Sequence, residues 1–519
     1  MDGPRKRWRT VWATIQADRE GLIVLGAIIA VLGVFRWAVF SPNVAPPGSD
    51  GGQWLAFGHQ MFAGERIKAG FESYPPIVPG LVSMFAAVFP PMMALKLVGG
   101  LVSVVLAVPL YGLVRQVTTP VPSAIVAGVV GIAPYHTEVL TFGGYPQLAG
   151  AVFMLLALWL LLLGLKTGGR LYLLAAGLAS AGAAATHVLV SIELAVAGLA
   201  LCAVFVWSRR SGSLRDAARL LRPVAVWTVL PAVLIAAPVL PTYLNYVFDA
   251  RRTPANPLNL SAGQVSEWLR SAWRWELVLW AVVGLVSVPV AAFEFGVRRA
   301  PVAGVALTLL AIAFVGVAFV RELRFLQVFE LGMVLSAGVT VAAARSQAAG
   351  ATYASLAKAA AAIALLLVMV AVMVVGVRRS LIAYRWYAVV TNPVLDAMEW
   401  LRRDAAEAPA GIIVASGAPR GHNYGWWLEG YVHRPAYMAG DPFLFFDARE
   451  RQQVEIAARL LDPMTPISVA RSIVQSENIQ FAFIDKGIDG QTPLSLRRLG
   501  FAAGFENGHI VVLKRATGE

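Results

Sequence analysis

The sequence predicts a polytopic α-helical membrane protein, with about 11 transmembrane helices and a C-terminal extracytoplasmic α/β domain. Three observations carry that prediction. The chain is 58% hydrophobic and only 14% charged, with a mean hydropathy of +0.67, whereas soluble domains hold about a quarter charged residues. Its apolar runs repeatedly approach the roughly 20 residues that cross a bilayer. Beyond residue 390 those runs stop, and short strand patterns alternate with amphipathic helical ones.

The N-terminal "RKRWRTVWATIQADRE" is basic and precedes a run too long for a signal-peptide core, with no small-residue cleavage site after it. It therefore reads as the cytoplasmic lead into a retained first helix. Arg115, "KTGGR" (166–170), the loop "SRRSGSLRDAARLLR" (208–222) and "VRR" (297–299) carry the positive charge that marks cytoplasmic connections. One path puts all four inside: helices at 20–40, 93–114, 120–134, 146–165, 171–187, 189–207, 222–241, 275–295, 300–320, 328–345 and 356–377. The path requires that "YPPIVPGLVSMFAAVF" (74–89), short and holding three prolines, stays re-entrant or interfacial. A transmembrane domain then covers 1–378 and an extracytoplasmic domain 379–519. The outer surface gains loops 41–92, 134–147 and 241–274 and the turn 321–330.

In the C-terminal part, "NPVLDAMEWLRRDAAE" reads as a helix capped by Asn392, with Pro393 at its first position. "GIIVAS", "AYMAG" and "IQFAFID" read as strands, 447–461 and 466–477 as helices, and "NYGWWLEGYVHRP" as a short helix and turn. "FAAGFENGHIVVLKR" closes the chain as a hairpin about its Asn-Gly. "SGAPRGHNYG" is glycine-rich but lacks dinucleotide-binding spacing, and reads as a plain loop.

The net charge of +13 does not point to nucleic acid, because much of the excess arginine sits in short loops beside apolar runs. The single cysteine, Cys202, lies in an apolar helix and excludes an intramolecular disulfide. Arginine outnumbers lysine, and alanine and glycine abound, as in GC-rich prokaryotes; the expected location is a prokaryotic plasma membrane.

The polar groups worth weighing lie on the outer face. Asp50 follows helix 1 through a Pro-Pro-Gly-Ser turn, and a carboxylate at the membrane surface suits general-base work on an acceptor hydroxyl; a solvated loop aspartate is the bland reading. "GQWLAFGHQMF" reads as an interfacial helix, with Trp54, Phe57, Met61 and Phe62 entering the headgroup region and His59 beside them. "SAGQVSEWLRSAWRWE" reads as a second, with Trp268, Trp273 and Trp275 in an aromatic belt. Arg321, Glu322, Arg324 and Glu330 share a short outer turn that could grip a phosphate or merely anchor itself through its own ion pairs. His187 sits at the turn between helices 5 and 6, and Glu193 lies inside the apolar helix after it, where a carboxyl is either functional or a structural hydrogen-bonding group. His136 and Glu138 could join a metal site only with a third ligand.

Together these features resemble the GT-C glycosyltransferases: an inward N-terminus, Asp50 in the first outer loop, Tyr74-Pro75-Pro76 after it, many helices and an outer α/β domain. "ATHVLVS", "RELRFLQVFELGMVLSAG" and the C-terminal strand pattern are similar to related prokaryotic membrane proteins. "GWWLEGY" (425–431) resembles the Trp-Trp-Asp-Tyr-Gly of oligosaccharyltransferase catalytic subunits, with Leu428 at the aspartate position. The resemblance implies transfer of a sugar from a polyprenyl-phosphate carrier to a lipid, glycan or protein acceptor. It implies Asp50 as the catalytic base. It implies substrate contacts from His59, Tyr74, His136, Glu138, His187, Arg321, Glu322, Arg324, Trp426, Trp427 and Glu429. A divalent metal is a further possibility, but the paired acidic motif that holds one in the oligosaccharyltransferase branch is missing, since Gly51-Gly52 follow Asp50. Two alternatives stand beside transfer: a flippase for a lipid-linked glycan, and a non-catalytic scaffold of the same fold.

Overall fold

The computed structural model describes residues 16–64, 75–209, 213–241, 274–320, 324–346, 353–407, 411–418, 423–439, 448–489 and 494–516, with Gly263, Ser266 and Glu267 between them. Among these, nine helices are long and apolar enough to cross a membrane. In chain order, α1 (Arg19–Phe40) is the first of them. Two short helices follow, α2 (Asp50–Ala63) and α3 (Ile77–Ala86). Then come α4 (Pro91–Val114), the pair α5 (Pro120–Ile132) and α6 (Pro134–Phe142) bent by 43°, α7 (Tyr145–Thr167), the shorter α8 (Arg170–Ala184), α9 (Val188–Ser208) and α10 (Arg215–Val239). The spans end with α11 (Glu276–Gly296), α12 (Pro301–Val320), α13 (Phe325–Ala344) and α14 (Leu367–Trp386). Each predicted crossing is thus a helix here, nine of them long, one short (α8) and one bent (α5–α6), while α3 has the short, non-spanning length expected of 74–89.

Proline and glycine punctuate this order. Pro91, Pro120, Pro134 and Pro301 stand at helix starts, where the missing N–H is not needed. Gly143 and Gly168 end helices in the left-handed conformation, at φ 97° and 68°.

Four expectations are corrected. The stretch 134–147 is not an outer loop: every residue from Pro134 to Thr141 is buried in α6, because internal partners take up its polar groups. Glu330 lies in α13, not in a turn. The basic segment 208–222 is partly helical, since Ser213 accepts from the backbone N–H of Asp216 and caps the helical start of α10 at Leu214. The last membrane helix does not stop near 377: it belongs to a helix running Tyr353–Trp386, whose Arg379 finds a partner within the bundle.

In the C-terminal region α15 (Asn392–Glu407) precedes a five-stranded sheet. The strands are β1 (Ile412–Ala415), β2 (Ala436–Met438), β3 (Ile479–Asp485), β4 (Phe501–Glu506) and β5 (Ile510–Arg515), in the order β2-β1-β3-β5-β4. β1 pairs in parallel with β2 and β3, and β5 runs antiparallel between β3 and β4. Alternation along the strands sorts the two faces. Val414, Ala482 and Ile484 pack under α16 (Ala448–Leu461) and α17 (Ile467–Ser476). Ile413, Ala415, Phe481 and Phe483 join an apolar cluster that continues through Trp427 and Leu428 to Trp54, Leu95 and Tyr145 at one end of the helix bundle. That shared core seats the sheet on the membrane helices.

Candidate active site

The site begins with the turn before α2. Gly48 has φ 90°, and a side chain there would collide with the backbone of Phe142, so the turn needs glycine. Its N–H donates to the Tyr387 carbonyl at 2.8 Å, and its carbonyl accepts from the Trp427 indole at 3.1 Å. Asp50 follows as the first residue of α2, half-buried, where the helix dipole favours an anion.

Three elements lie near Asp50. The first is the Gly143 turn that ends α6: an added Cβ on Gly143 would lie 2.8 Å from the Asp50 Cβ, and the Gly143 carbonyl accepts from the Trp54 indole at 2.7 Å. The second is a pair of tyrosines, Tyr145 and Tyr387, both within electrostatic reach of Asp50. The third is the segment 425–432, a helical turn that continues with π-type spacing. Gly51 faces the Trp427 ring, and Gly52 faces the backbone of Trp426 and Trp427. The segment is tethered to the sheet: the Tyr424 hydroxyl donates to Asp485 at 2.6 Å, at the C-terminal end of β3. Burial, and then the Asp485 carboxylate, push the Tyr424 pKa far above its usual value, so it remains a donor.

Beneath this lies a second carboxylate. Glu138 on α6 accepts from the Tyr387 hydroxyl at 2.7 Å and from Arg379 Nε at 3.2 Å. Its neighbour Thr137 meets Ser380 and Arg36, and Arg36 also donates to the Gly131 carbonyl at 2.6 Å. The start of α6 is closed by Glu330, whose carboxylate accepts from the backbone N–H of Tyr135 and of His136, both at 2.9 Å, and from the Trp280 indole at 3.2 Å. A carboxylate from another helix thus satisfies N–H groups that a helix start leaves unpaired.

A second polar group stands within the first one and a half turns of α7. Gln147 donates to the Arg324 carbonyl at 3.1 Å, Gly150 packs on His187, and Arg324 lies within electrostatic reach of His187. Tyr145 and Gly150 are separated by about 8 Å of helix axis, so α7 ties this group to Asp50. Ile77, just after Tyr74-Pro75-Pro76, donates its N–H to the Ala185 carbonyl at 3.1 Å and brings the start of α3 next to the His187 turn.

The sequence-predicted residues therefore sort into several places. Asp50, Trp426, Trp427 and Glu138 come together; Glu429 is buried in the same segment 428–432. His59 stacks on His433, with ring centroids 4.0 Å apart, where α2 meets the end of that segment. His187 and Arg324 form the second group. His136 is buried, its Nε2 3.0 Å from the Ser103 carbonyl. Glu193 is buried in α9, and its Oε1 has no hydrogen-bond partner among the described residues. Tyr74, Arg321, Glu322, Trp268 and Trp273 lie outside the described residues, as does the side chain of Trp275. Trp54 and Phe57 do not enter the headgroup region as expected: they are buried, because 425–432 and α3 cover α2, while Met61 and Phe62 at its end stay exposed. Sequence reasoning missed Arg36, Arg379, Tyr387, Tyr145 and His433. The two arginines carried a signal, a charge inside or beside an apolar run; the tyrosines carried none.

A divalent cation does not fit these side chains. Among the described residues no three His, Cys, Asp or Glu side chains converge, and both oxygens of Glu138 are already engaged.

No family model matches the sequence, and no curated protein does. Solved structures do resemble it. The oligosaccharyltransferase of Archaeoglobus fulgidus in its apo form superposes with a TM-score of 0.60 at 13% identity, over 95% of this chain and 74% of that one. The oligosaccharyltransferase AglB from Archaeoglobus fulgidus, in complex with an inhibitory peptide and a dolichol-phosphate, gives a TM-score of 0.58 at 13% identity. ArnT from Cupriavidus metallidurans bound to undecaprenyl phosphate gives 0.55 at 16% identity, over 95% of this chain and 98% of that one. At these identities the likeness establishes the fold.

Proposed function

From the GT-C fold that this multi-pass membrane chain shares with those enzymes, we propose that it is a glycosyltransferase. It moves a sugar from a polyprenyl-phosphate carrier to an acceptor at the sheet-bearing face of the membrane. The observation that carries the reading is the half-buried Asp50 at the start of α2, packed on the Gly143 turn, with its charge acting on Tyr145 and Tyr387 and the Trp426–Trp427 segment against the next two residues, where the helix bundle meets the sheet.

In this reading Asp50 takes the proton from the acceptor hydroxyl as that oxygen attacks the sugar's anomeric carbon. The bond from that carbon to the carrier phosphate breaks, and the phosphate leaves as an anion. Arg324, beside His187, neutralises the leaving group, a contribution that grows as water is excluded. Displacement by the acceptor on the face opposite the phosphate inverts the anomeric centre. Trp426, Trp427 and Glu429 bound the acceptor side.

The sheet-bearing face is extracytoplasmic in this reading, and the N-terminus cytoplasmic. Basic residues elsewhere in the bundle support that orientation: Arg115 pairs with Asp18 at 2.7 Å, Lys166 reaches Gln116, and Arg299 donates to the Trp207 carbonyl. The location is a prokaryotic plasma membrane.

The test is a panel of radiolabelled polyprenyl-phosphate sugars offered to the purified chain with lipid, glycan and peptide acceptors. Label appearing in an acceptor supports transfer. Label that no acceptor ever gains, while the donor still binds, rejects it and favours a flippase, for which Glu193 inside α9 is the starting point.

A further inference from the structure

Carboxylates that converge on one site commonly recruit a divalent cation, which then supplies the largest local charge. Glu138 accepts from the Tyr387 hydroxyl, and the Asp50 charge also acts on Tyr387, yet the cation at Glu138 comes from the chain itself. Arg379 Nε stands 3.2 Å from one oxygen of Glu138, and the Tyr387 hydroxyl stands 2.7 Å from the other. Both members of the ion pair are largely buried, with side-chain exposures of 16% and 6%, so water screens the pair only weakly.

The backbone is built to deliver this guanidinium. At Gly376, one turn before Arg379, a side chain would overlap the Ile132 carbonyl, so glycine lets the helix close onto the bend between α5 and α6. Consecutive residues then engage consecutive partners: Arg379 meets Glu138, and Ser380 meets Thr137 at 3.3 Å. Ser380 also accepts from Arg36 at 3.2 Å, which ties α1 into the same contact. The Tyr387 carbonyl continues the chain to Gly48, two residues before Asp50.

We propose that Arg379 is the built-in cation of this site. It holds the charge position beside Glu138 that a divalent metal would otherwise take, and through Tyr387 it fixes the turn that presents Asp50. It is a positioning residue, since it acts through Glu138 and Tyr387. That it serves sugar transfer rests on the function proposed above; that it excludes a metal does not.

The experiment measures Mn²⁺ binding by electron paramagnetic resonance on the full chain in detergent, with no donor or acceptor present. It therefore fails or succeeds independently of the transferase reading. Wild type is expected to leave Mn²⁺ in its free spectrum. Arg379→Gln, checked for folding by its melting curve, is expected to bind Mn²⁺ at least about tenfold more tightly than wild type, and Arg379→Gln with Glu138→Gln is expected to lose that gain. Arg379→Lys, which keeps the charge, is expected to behave as wild type. Mn²⁺ bound by wild type and released in Glu138→Gln would overturn the proposal, and that arm needs no change at Arg379. A folded Arg379→Gln that binds no more Mn²⁺ than wild type would overturn it equally.

Discussion

Replacing Gly52 by alanine tests the central contact of the site with one methyl group. An ideal Cβ on Gly52 would lie 2.5 Å from the carbonyl carbon and oxygen of Trp426, whereas ordinary contact begins at 3.4 Å. The obstacle is backbone and cannot rotate away. The segment 425–432 must therefore withdraw from α2 by about 0.9 Å, the difference between the two distances. The Trp427–Gly48 hydrogen bond, now 3.1 Å, would open to about 4 Å and be lost. Overpacking of this kind costs about 1–3 kcal/mol, and the lost bond about 1 kcal/mol more. A displacement near 1 Å beside a reacting group lowers turnover on the order of 100-fold. Thermal unfolding in detergent, followed by tryptophan fluorescence, reads the stability cost, and sugar transfer reads the rate. Gly33→Ala is the control: nothing lies within 4 Å of its Cβ, so it should melt and work as wild type does. A Gly52→Ala protein that melts with wild type and keeps full transfer would refute the packing of Trp426 and Trp427 on the Asp50 turn.

Other outcomes follow from the same geometry. Glu330→Leu leaves three buried donors without an acceptor and should destabilise the chain on the order of 3–5 kcal/mol, read as a lowered melting temperature. Glu506 is held below the usual carboxylate range by its hydrogen bond and charge pairing with Lys486, so it stabilises the fold above that range and loses the contribution as pH falls through its lowered pKa. Glu506→Gln should therefore melt below wild type near neutral pH and together with it in acid. Tyr424→Phe removes the hydroxyl that donates to Asp485 at 2.6 Å; it should cost about 1–3 kcal/mol in melting experiments and loosen the Trp426–Trp427 segment, seen as faster hydrogen exchange there.

The helices were legible because membrane spans declare themselves through length and apolarity, and because Pro91, Pro120, Pro134 and Pro301 mark their starts. The sheet was legible through short β-branched runs and the Asn507-Gly508 turn. Asp50 stood out as an acidic residue at the end of an apolar run. The stretch 134–147 was misread because "PYHTEV" has the composition of a loop. What makes it a buried helix lies far along the chain: Glu330 caps its start, Arg379 neutralises Glu138, and Arg36 reaches Thr137. Local composition cannot reveal partners more than 100 residues away, such as the 241 residues between Arg379 and Glu138. All four of Trp54, Phe57, Met61 and Phe62 were expected at the headgroups, but the burial of Trp54 depends on a segment near residue 427 whose docking the glycines at 51 and 52 admit.

Transfer from a radiolabelled polyprenyl-phosphate sugar by purified wild type and Asp50→Asn, with donor binding measured on both, tests the central claim most directly. Wild type should label an acceptor, and Asp50→Asn should bind the donor unchanged while its transfer falls at least about 100-fold. Equal transfer by the two proteins would contradict the assignment of Asp50 as the base.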